Sequence, residues 1–204
     1  MQPIKNIIFD LGGVFLNIDF QLTNKAFKDL GVDRFEAMFN QHHSNDLFEL
    51  LETGKLSDND FYDAFRKASE TNLSNEQIKN AWNALLLDFP KDRIQWLEQI
   101  KDKYNIYLFS NTNQIHYDNF IVDFAKSFPG KGFNSYFIKA YYSQTLGLRK
   151  PYANSFEKII EEQKLNPSET LFIDDTLKNI EGARKVGLQT VHLVAPITVT
   201  QLGL

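Results

Sequence analysis

Short apolar runs alternate with stretches of helical period over most of this chain. Five runs have the length and apolar content of buried strands: 6–10 (NIIFD), 106–110 (IYLFS), 136–143 (YFIKAYYS), 170–174 (TLFID) and 188–194 (LQTVHLV). The stretches between them read as helices. Residues 114–127 fill the gap after the second run, and 151–164 carry Phe156, Ile159 and Ile160 after the third. After the fourth, Leu177, Ile180, Ala183 and Val186 recur at helical spacing. Strands alternating with helices predict βαβ units and a parallel sheet.

The interval between the first two runs breaks this rhythm. Residues 18–88 hold helical signals and no convincing strand. Ser57 with Asp60, and Ser74 with Gln77, have the spacing of helix-starting capping boxes. Phe61 and Phe65, and Ile78 and Trp82, lie four apart on single helical faces. Gly31 and Gly54 suit positions just past helix C-termini. The expectation is a helical domain, 18–88, inserted into an α/β core made of 1–17 and 89–204. Residues 196–204 read as a loose tail.

Composition narrows the class. The chain has 204 residues, 43% hydrophobic and 24% charged, so a soluble globular fold is expected. Eighteen phenylalanines supply bulk for a core. No apolar stretch nears the ~20 residues that span a bilayer, so no membrane partner is expected. No signal-peptide pattern opens the chain. Absence of cysteine excludes disulfides, thiolate metal sites and cysteine nucleophiles, and fits the cytoplasm. A net charge of −4 argues against a nucleic-acid surface. It does not exclude an anionic substrate, since one bound cation reverses a local potential. A monomer is the default.

Four segments carry candidate chemistry. Asp10 ends the first apolar run and is followed by Gly12 and Gly13, which allow a sharp turn. Ser110 ends the second run; it and the amide of Asn111 suit phosphate oxygens at a helix start. Lys150, before Pro151, is held extended, and Pro151 suits the first helical position. Asp174 and Asp175 end the fourth run as adjacent carboxylates, hard ligands of the kind magnesium takes. Each has an ordinary alternative: a capping aspartate, an N-cap supplied by Thr112 or Asn113, a solvated basic pair at Arg149 and Lys150, exposed turn aspartates. Ligands of parallel sheets bind beyond the carboxyl ends of the strands. All four segments fall at that one edge, and a nucleophile, a hydroxyl, a lysine and an acidic pair together equip a site for phosphoryl transfer.

In these motifs, IIFDLGGV, LFSNT, LGLRKP and FIDDTLKNIEGA, the chain resembles the haloacid dehalogenase superfamily over nearly its whole length. Within it, the motifs are most similar to those of bacterial phosphatases acting on alpha-D-glucose 1-phosphate. The resemblance implies a Rossmann-like α/β fold with sheet order 5-4-1-2-3 and a helical cap. It implies a magnesium-dependent phosphatase acting on a small phosphorylated metabolite such as a hexose 1-phosphate. Asp10 would be nucleophile and metal ligand, with the Gly12 carbonyl and Asp175 completing the metal set. Ser110 and Asn111 would hold phosphate, Lys150 would neutralise charge, and Asp174 would sit beside the metal ligands. Two alternatives stand beside this: a 2-haloacid dehalogenase, since such relatives share the aspartate nucleophile but use no metal and need no acidic pair, and a catalytically weak binding protein that retains the fold. Most phosphatases of this kind carry a second aspartate two residues after the nucleophile as acid–base. Here that position is Gly12, which favours substrates with good leaving groups. Asp19, His42 and His43 are candidate replacements, whereas His116 and His192 read as structural.

Overall fold

The computed structural model describes residues 3–40, 43–44 and 46–204. Strands β1 (Asn6–Phe9), β2 (Asn105–Ser110), β3 (Lys139–Tyr142), β4 (Thr170–Asp174) and β5 (Gln189–His192) form one parallel sheet. Its order, β3-β2-β1-β4-β5, is the expected 5-4-1-2-3 read from the other edge. β1 is central, with Phe9 in register with Leu108 on one side and Ile173 on the other. Successive residues of β1 point to opposite faces, and both faces are covered. Ile7 and Phe9 join one cluster with Leu97, Leu108 and Phe120, while Ile8 joins Phe109, Phe156, Phe172 and Ile180 on the other. Burial on both sides explains why the runs read as continuously apolar.

Between β1 and β2 the chain builds α1 (Phe20–Asp29), α2 (Phe35–Met38), α3 (Asp46–Glu52), α4 (Asp58–Ser69), α5 (Asn75–Asn83) and α6 (Lys91–Ile100). Then come α7 (Gln114–Ser127), α8 (Ser143–Leu146), α9 (Ala153–Gln163) and α10 (Leu177–Lys185). Helices α1 to α5 have their own aromatic core of Phe27, Phe35, Phe48, Phe61, Phe65 and Trp82. The segments entering and leaving them run side by side. Asn17 and Leu87 pair through their backbones, and the Asp19 N–H donates to the Leu85 carbonyl at 2.9 Å.

Local chemistry sets the helix ends. Ser74 and Gln77 make both bonds of a capping box. Ser57 caps α4 through the Asp60 N–H, and its own hydroxyl donates to the Asp60 carboxylate at 2.6 Å, so that end is capped without the reciprocal bond. Gly31 and Gly54 follow α1 and α3 with positive φ, as expected.

Four expectations need correction. Phe39–Asn40 and His43–Ser44 pair as a short antiparallel ladder inside the helical insert. The 136–143 run yields a strand only over Lys139–Tyr142, because Tyr136 and Phe137 turn into the core before it. Pro151 does not open α9, which starts at Ala153 with Tyr152 as its cap. The tail is docked: Val199 is fully buried, Leu202 and Leu204 pack on the core, and Thr198 and Gln201 form a capping box around a short 3-10 turn. Apolar side chains at 199, 202 and 204 give that segment a face to bury.

Candidate active site

Three chemistry-bearing residues sit at or just past the carboxyl ends of adjacent strands. Asp10 follows β1, and its N–H donates to the Ile173 carbonyl at 2.9 Å, continuing the pairing with β4. Ser110 ends β2 and Asp174 ends β4. Strand order reverses at β1, so this is a topological switch point, where a parallel sheet leaves a crevice. The crevice is a cleft of about 360 Å³ lined by Asp10, Gly12, Ser110, Asn111, Lys150 and Asp175, with Glu49, Glu52 and Phe39 from the insert.

Lys150 is the hub. Its ammonium donates to Asp10 Oδ1 and to Asp174 Oδ2, each at 2.7 Å, and its side chain is 1% exposed. The rings of Phe109 and Phe172 lie 5.4 Å from it. Asn111 fixes its backbone: Asn111 Oδ1 accepts the Lys150 N–H and Asn111 Nδ2 donates to the Lys150 carbonyl, both at 2.9 Å. The Asn111 side chain is therefore spent on holding Lys150, and what it offers a ligand is backbone. Its neighbours also have structural work. Asn113 caps α7 by accepting the His116 N–H, and the Thr112 backbone is bracketed by the Ser143 hydroxyl.

Asp174 is fully buried and its oxygens are engaged. Oδ1 accepts from the Thr176 N–H at 2.7 Å, Oδ2 accepts from Lys150, and Asn179 Nδ2 donates to both at 3.1 Å. Asp175 is freer, with Oδ1 accepting the Thr176 hydroxyl at 3.1 Å. Its Oδ2 lies over Gly13, where a Cβ would come within 2.5 Å and where φ is +69°. Position 13 thus needs glycine for its backbone and for room beside the carboxylate.

Carboxylate oxygens of Asp10, Asp174 and Asp175 all come within 4.8 Å of one another. Burial pushes the Asp10 carboxyl up to about 8; the Lys150 ammonium opposes this, and Asp174 and Asp175 add to it. Burial, then repulsion from Asp174, raises Asp175 as well. One lysine does not offset three converging carboxylates. The charge excess and the hard oxygen donors fit a divalent cation of the magnesium type.

A family model for haloacid dehalogenase-like hydrolases matches residues 4–187. The chain belongs to this family. Among curated proteins, the D-ribitol-5-phosphate phosphatase of Bacteroides thetaiotaomicron is 34% identical over 191 residues, covering 92% of this chain and 90% of that one. Among solved structures, a variant of a HAD-family enzyme from Bacteroides thetaiotaomicron, in complex with magnesium and inorganic phosphate, superposes with a TM-score of 0.90. It is 32% identical, and the match covers 96% of each chain. The L-2-haloacid dehalogenase of Xanthobacter autotrophicus is 17% identical with a TM-score of 0.57, which is a likeness of fold.

In this hydrolase the cleft gathers Asp10, Gly12, Ser110, Asn111, Lys150 and Asp175 at one strand edge. Asp19 is not among the lining residues; its carboxylate caps α1 by accepting the Gln21 N–H at 2.9 Å. His42 and the side chain of His43 lie outside the described residues. His116 is structural: its ring stacks on Trp82, contacts the Trp82 carbonyl at 3.1 Å, and is held neutral by burial, which lowers its pKa to about 4. His192 contacts the Asp175 carbonyl at 2.9 Å.

Sequence reasoning missed the wall contributed by α3. Glu52 is 7% exposed and pairs with Arg149 at 3.0 Å; Glu49 reaches Arg149 at 3.4 Å. Arg149 is therefore no solvated half of a basic pair. Burial raises the Glu52 carboxyl, against the pull of Arg149. A signal was present. Glu52 falls on the same helical face as Phe48 and Leu51, a core-facing position where a glutamate is rare unless paired.

Proposed function

We propose that this protein is a magnesium-dependent phosphatase that hydrolyses a small phosphorylated sugar or polyol through an aspartyl-phosphate on Asp10. The observation that carries the reading is the buried Lys150 ammonium held between Asp10 and Asp174 beside the freer Asp175 carboxylate. Residues 18–88 serve as the cap over a core of 1–17 and 89–204, and close the substrate space from the α3 side.

Asp10, Asp175 and the Gly12 carbonyl would hold the magnesium ion. When bound, the ion supplies charge neutralisation for phosphate and nucleophile. An Asp10 carboxylate oxygen attacks phosphorus, the bond from phosphorus to the substrate oxygen breaks, and the departing oxygen takes a proton from water. The hydroxide left by that proton transfer then adds to phosphorus as the bond to the Asp10 oxygen breaks, so phosphate departs and the Asp10 carboxylate is restored. Ser110 and the Asn111 backbone bind phosphate oxygens. Lys150 opposes the rise that burial imposes on the Asp10 carboxyl and offsets charge on the transferring group, from a backbone that Asn111 holds in place.

Two substrate chemistries compete within this class. A hexose 1-phosphate has an anomeric leaving oxygen, which suits a site with glycine at position 12. The Bacteroides relative named for D-ribitol 5-phosphate supports a primary alcohol phosphate. A colorimetric phosphate-release screen over both, with p-nitrophenyl phosphate as reference, separates them. Asp10→Asn should abolish turnover and EDTA should remove wild-type activity. Full activity in Asp10→Asn would refute the nucleophile assignment, and EDTA-insensitive turnover would refute the metal dependence.

A further inference from the structure

The α3 wall of the cleft consists of charged groups that pair with one another but leave single buried atoms without an aligned hydrogen bond. Glu52 is nine-tenths buried, yet its Oε2 lacks an aligned hydrogen bond among the described residues, although Arg149 Nη2 lies 3.0 Å away. Arg149 Nε lacks one too. Glu49 is half-open, with Arg149 Nη1 at 3.4 Å and the Tyr152 hydroxyl at 3.3 and 3.4 Å. Buried polar groups without partners are rare in folded proteins and call for an explanation.

The wall packs against the phosphate-facing side. Arg149 immediately precedes Lys150, whose backbone Asn111 clamps. Gly54 ends α3, and a Cβ there would come within 2.1 Å of the Gln144 carbonyl, so the helix is seated directly on the segment leading to Arg149.

We propose that Glu49, Arg149 and Glu52, with Tyr152, select phosphate monoesters whose far end is an uncharged polyhydroxylated chain. The proposal rests on the phosphatase reading above. A carbon-bound hydroxyl both donates and accepts. The wall offers it carboxylate acceptors on Glu49 and Glu52 and donors on Arg149 and Tyr152. Two carboxylates against one guanidinium leave the wall with an excess of negative charge. A substrate with a second phosphate or a carboxylate at that end meets repulsion in a partly desolvated place. The cleft, about 360 Å³, sits at the small end of ligand sites, which suits a short chain.

The test compares kcat/KM for three substrates: a pentitol phosphate, the matching aldonic acid phosphate, and p-nitrophenyl phosphate. In Glu49→Gln, the preference for pentitol phosphate over p-nitrophenyl phosphate should fall by about tenfold or more. The preference for pentitol over aldonate phosphate should fall as well, because the repulsive charge is gone. Arg149→Met should lower the first ratio. Thermal midpoints are measured alongside; if Glu52→Gln fails to fold, Glu49→Gln and Tyr152→Phe still decide the matter. A purely structural role predicts equal losses on all substrates. Ratios within twofold of wild type in Glu49→Gln and Arg149→Met would overturn the proposal while leaving the phosphatase reading intact. A wild type that cleaves no monoester, p-nitrophenyl phosphate included, would overturn the phosphatase reading itself and this proposal with it.

Discussion

Replacing Lys150 with methionine probes the charge arrangement at the centre of the site. Methionine keeps an unbranched stem between the rings of Phe109 and Phe172 and removes the ammonium. In the wild type that group is 1% exposed and donates to two carboxylates at 2.7 Å each. Removing one partner of a buried ion pair typically costs about 3–5 kcal/mol, because the remaining charge is stranded. Here one cation serves two carboxylates, and a third lies close by. Protonation limits the loss. Asp10 stands at about 8 even with the lysine present, so without it that carboxyl takes up a proton near neutral pH. Asp10 and Asp175 have folded-state pKa values above their unfolded ones. The folded variant therefore binds more protons than the unfolded chain, and its stability falls as pH rises from about 4 towards the raised values. Urea denaturation in EDTA should show Lys150→Met destabilised by about 3 kcal/mol near pH 7, and by more at pH 8. Turnover of p-nitrophenyl phosphate should fall by about 10²-fold or more, the scale for losing one preorganised charge-stabilising donor. A loss below about 1 kcal/mol at both pH values would refute the reasoning from buried charge. Turnover within tenfold of wild type would refute the role given to Lys150 on the transferring group.

Magnesium at a hundred times its dissociation constant should stabilise the protein by about 2.7 kcal/mol in thermal scans, and Asp175→Asn should remove most of that shift. An equal shift in the variant would place the ion elsewhere. His116 should remain neutral to about pH 4 in an NMR titration, since burial lowers its pKa. Its folded pKa lies below the unfolded value of 6.5, so stability is lost as pH falls from about 6.5 towards 4, by about 3 kcal/mol in all. A His116 midpoint near 6.5 would contradict this. Across aryl phosphates of rising leaving-group pKa, kcat/KM should fall steeply, because position 12 holds no proton donor. A flat dependence, with chemistry rate-limiting, would show that another residue supplies the proton.

The centre of the sheet was legible because β1, β2 and β4 are buried on both faces and so read as nearly unbroken apolar runs, whereas the edge strands β3 and β5 are only partly buried. The centre of the site was legible because its residues sit at or beside strand ends, where register alone brings them together. Legibility ended where a role depends on a distant partner. Nothing local in Arg149-Lys150 distinguishes a surface pair from a lysine 1% exposed and an arginine clamped by the insert. Asn111 reads as a phosphate-facing amide, but its side chain is committed to the backbone of a residue 39 positions away. The docked tail escaped notice because its apolar residues are spaced along a short irregular segment with no period to detect.

Position 12 links the two sides of the cleft. A Cβ at Gly12 would come within 2.9 Å of Ile18 Cδ1, so the end of an apolar side chain lies against the place where a side chain at position 12 would begin. Ile18 itself sits where the insert begins, bridged to Leu86 where it ends. The missing carboxylate is therefore compensated in packing: an isoleucine from the linker closes over the glycine and lines the cleft beside Asp10. This keeps an extra negative charge away from three carboxylates that one lysine already fails to balance. The carboxylates that the insert adds to the cleft, Glu49 and Glu52, stand on the α3 wall instead. Such a division favours recognition of the far end of the substrate over assistance to its departing oxygen. Under the proposed reading, binding energy from that end would do part of the work of the absent proton donor by fixing the phosphate in line with Asp10.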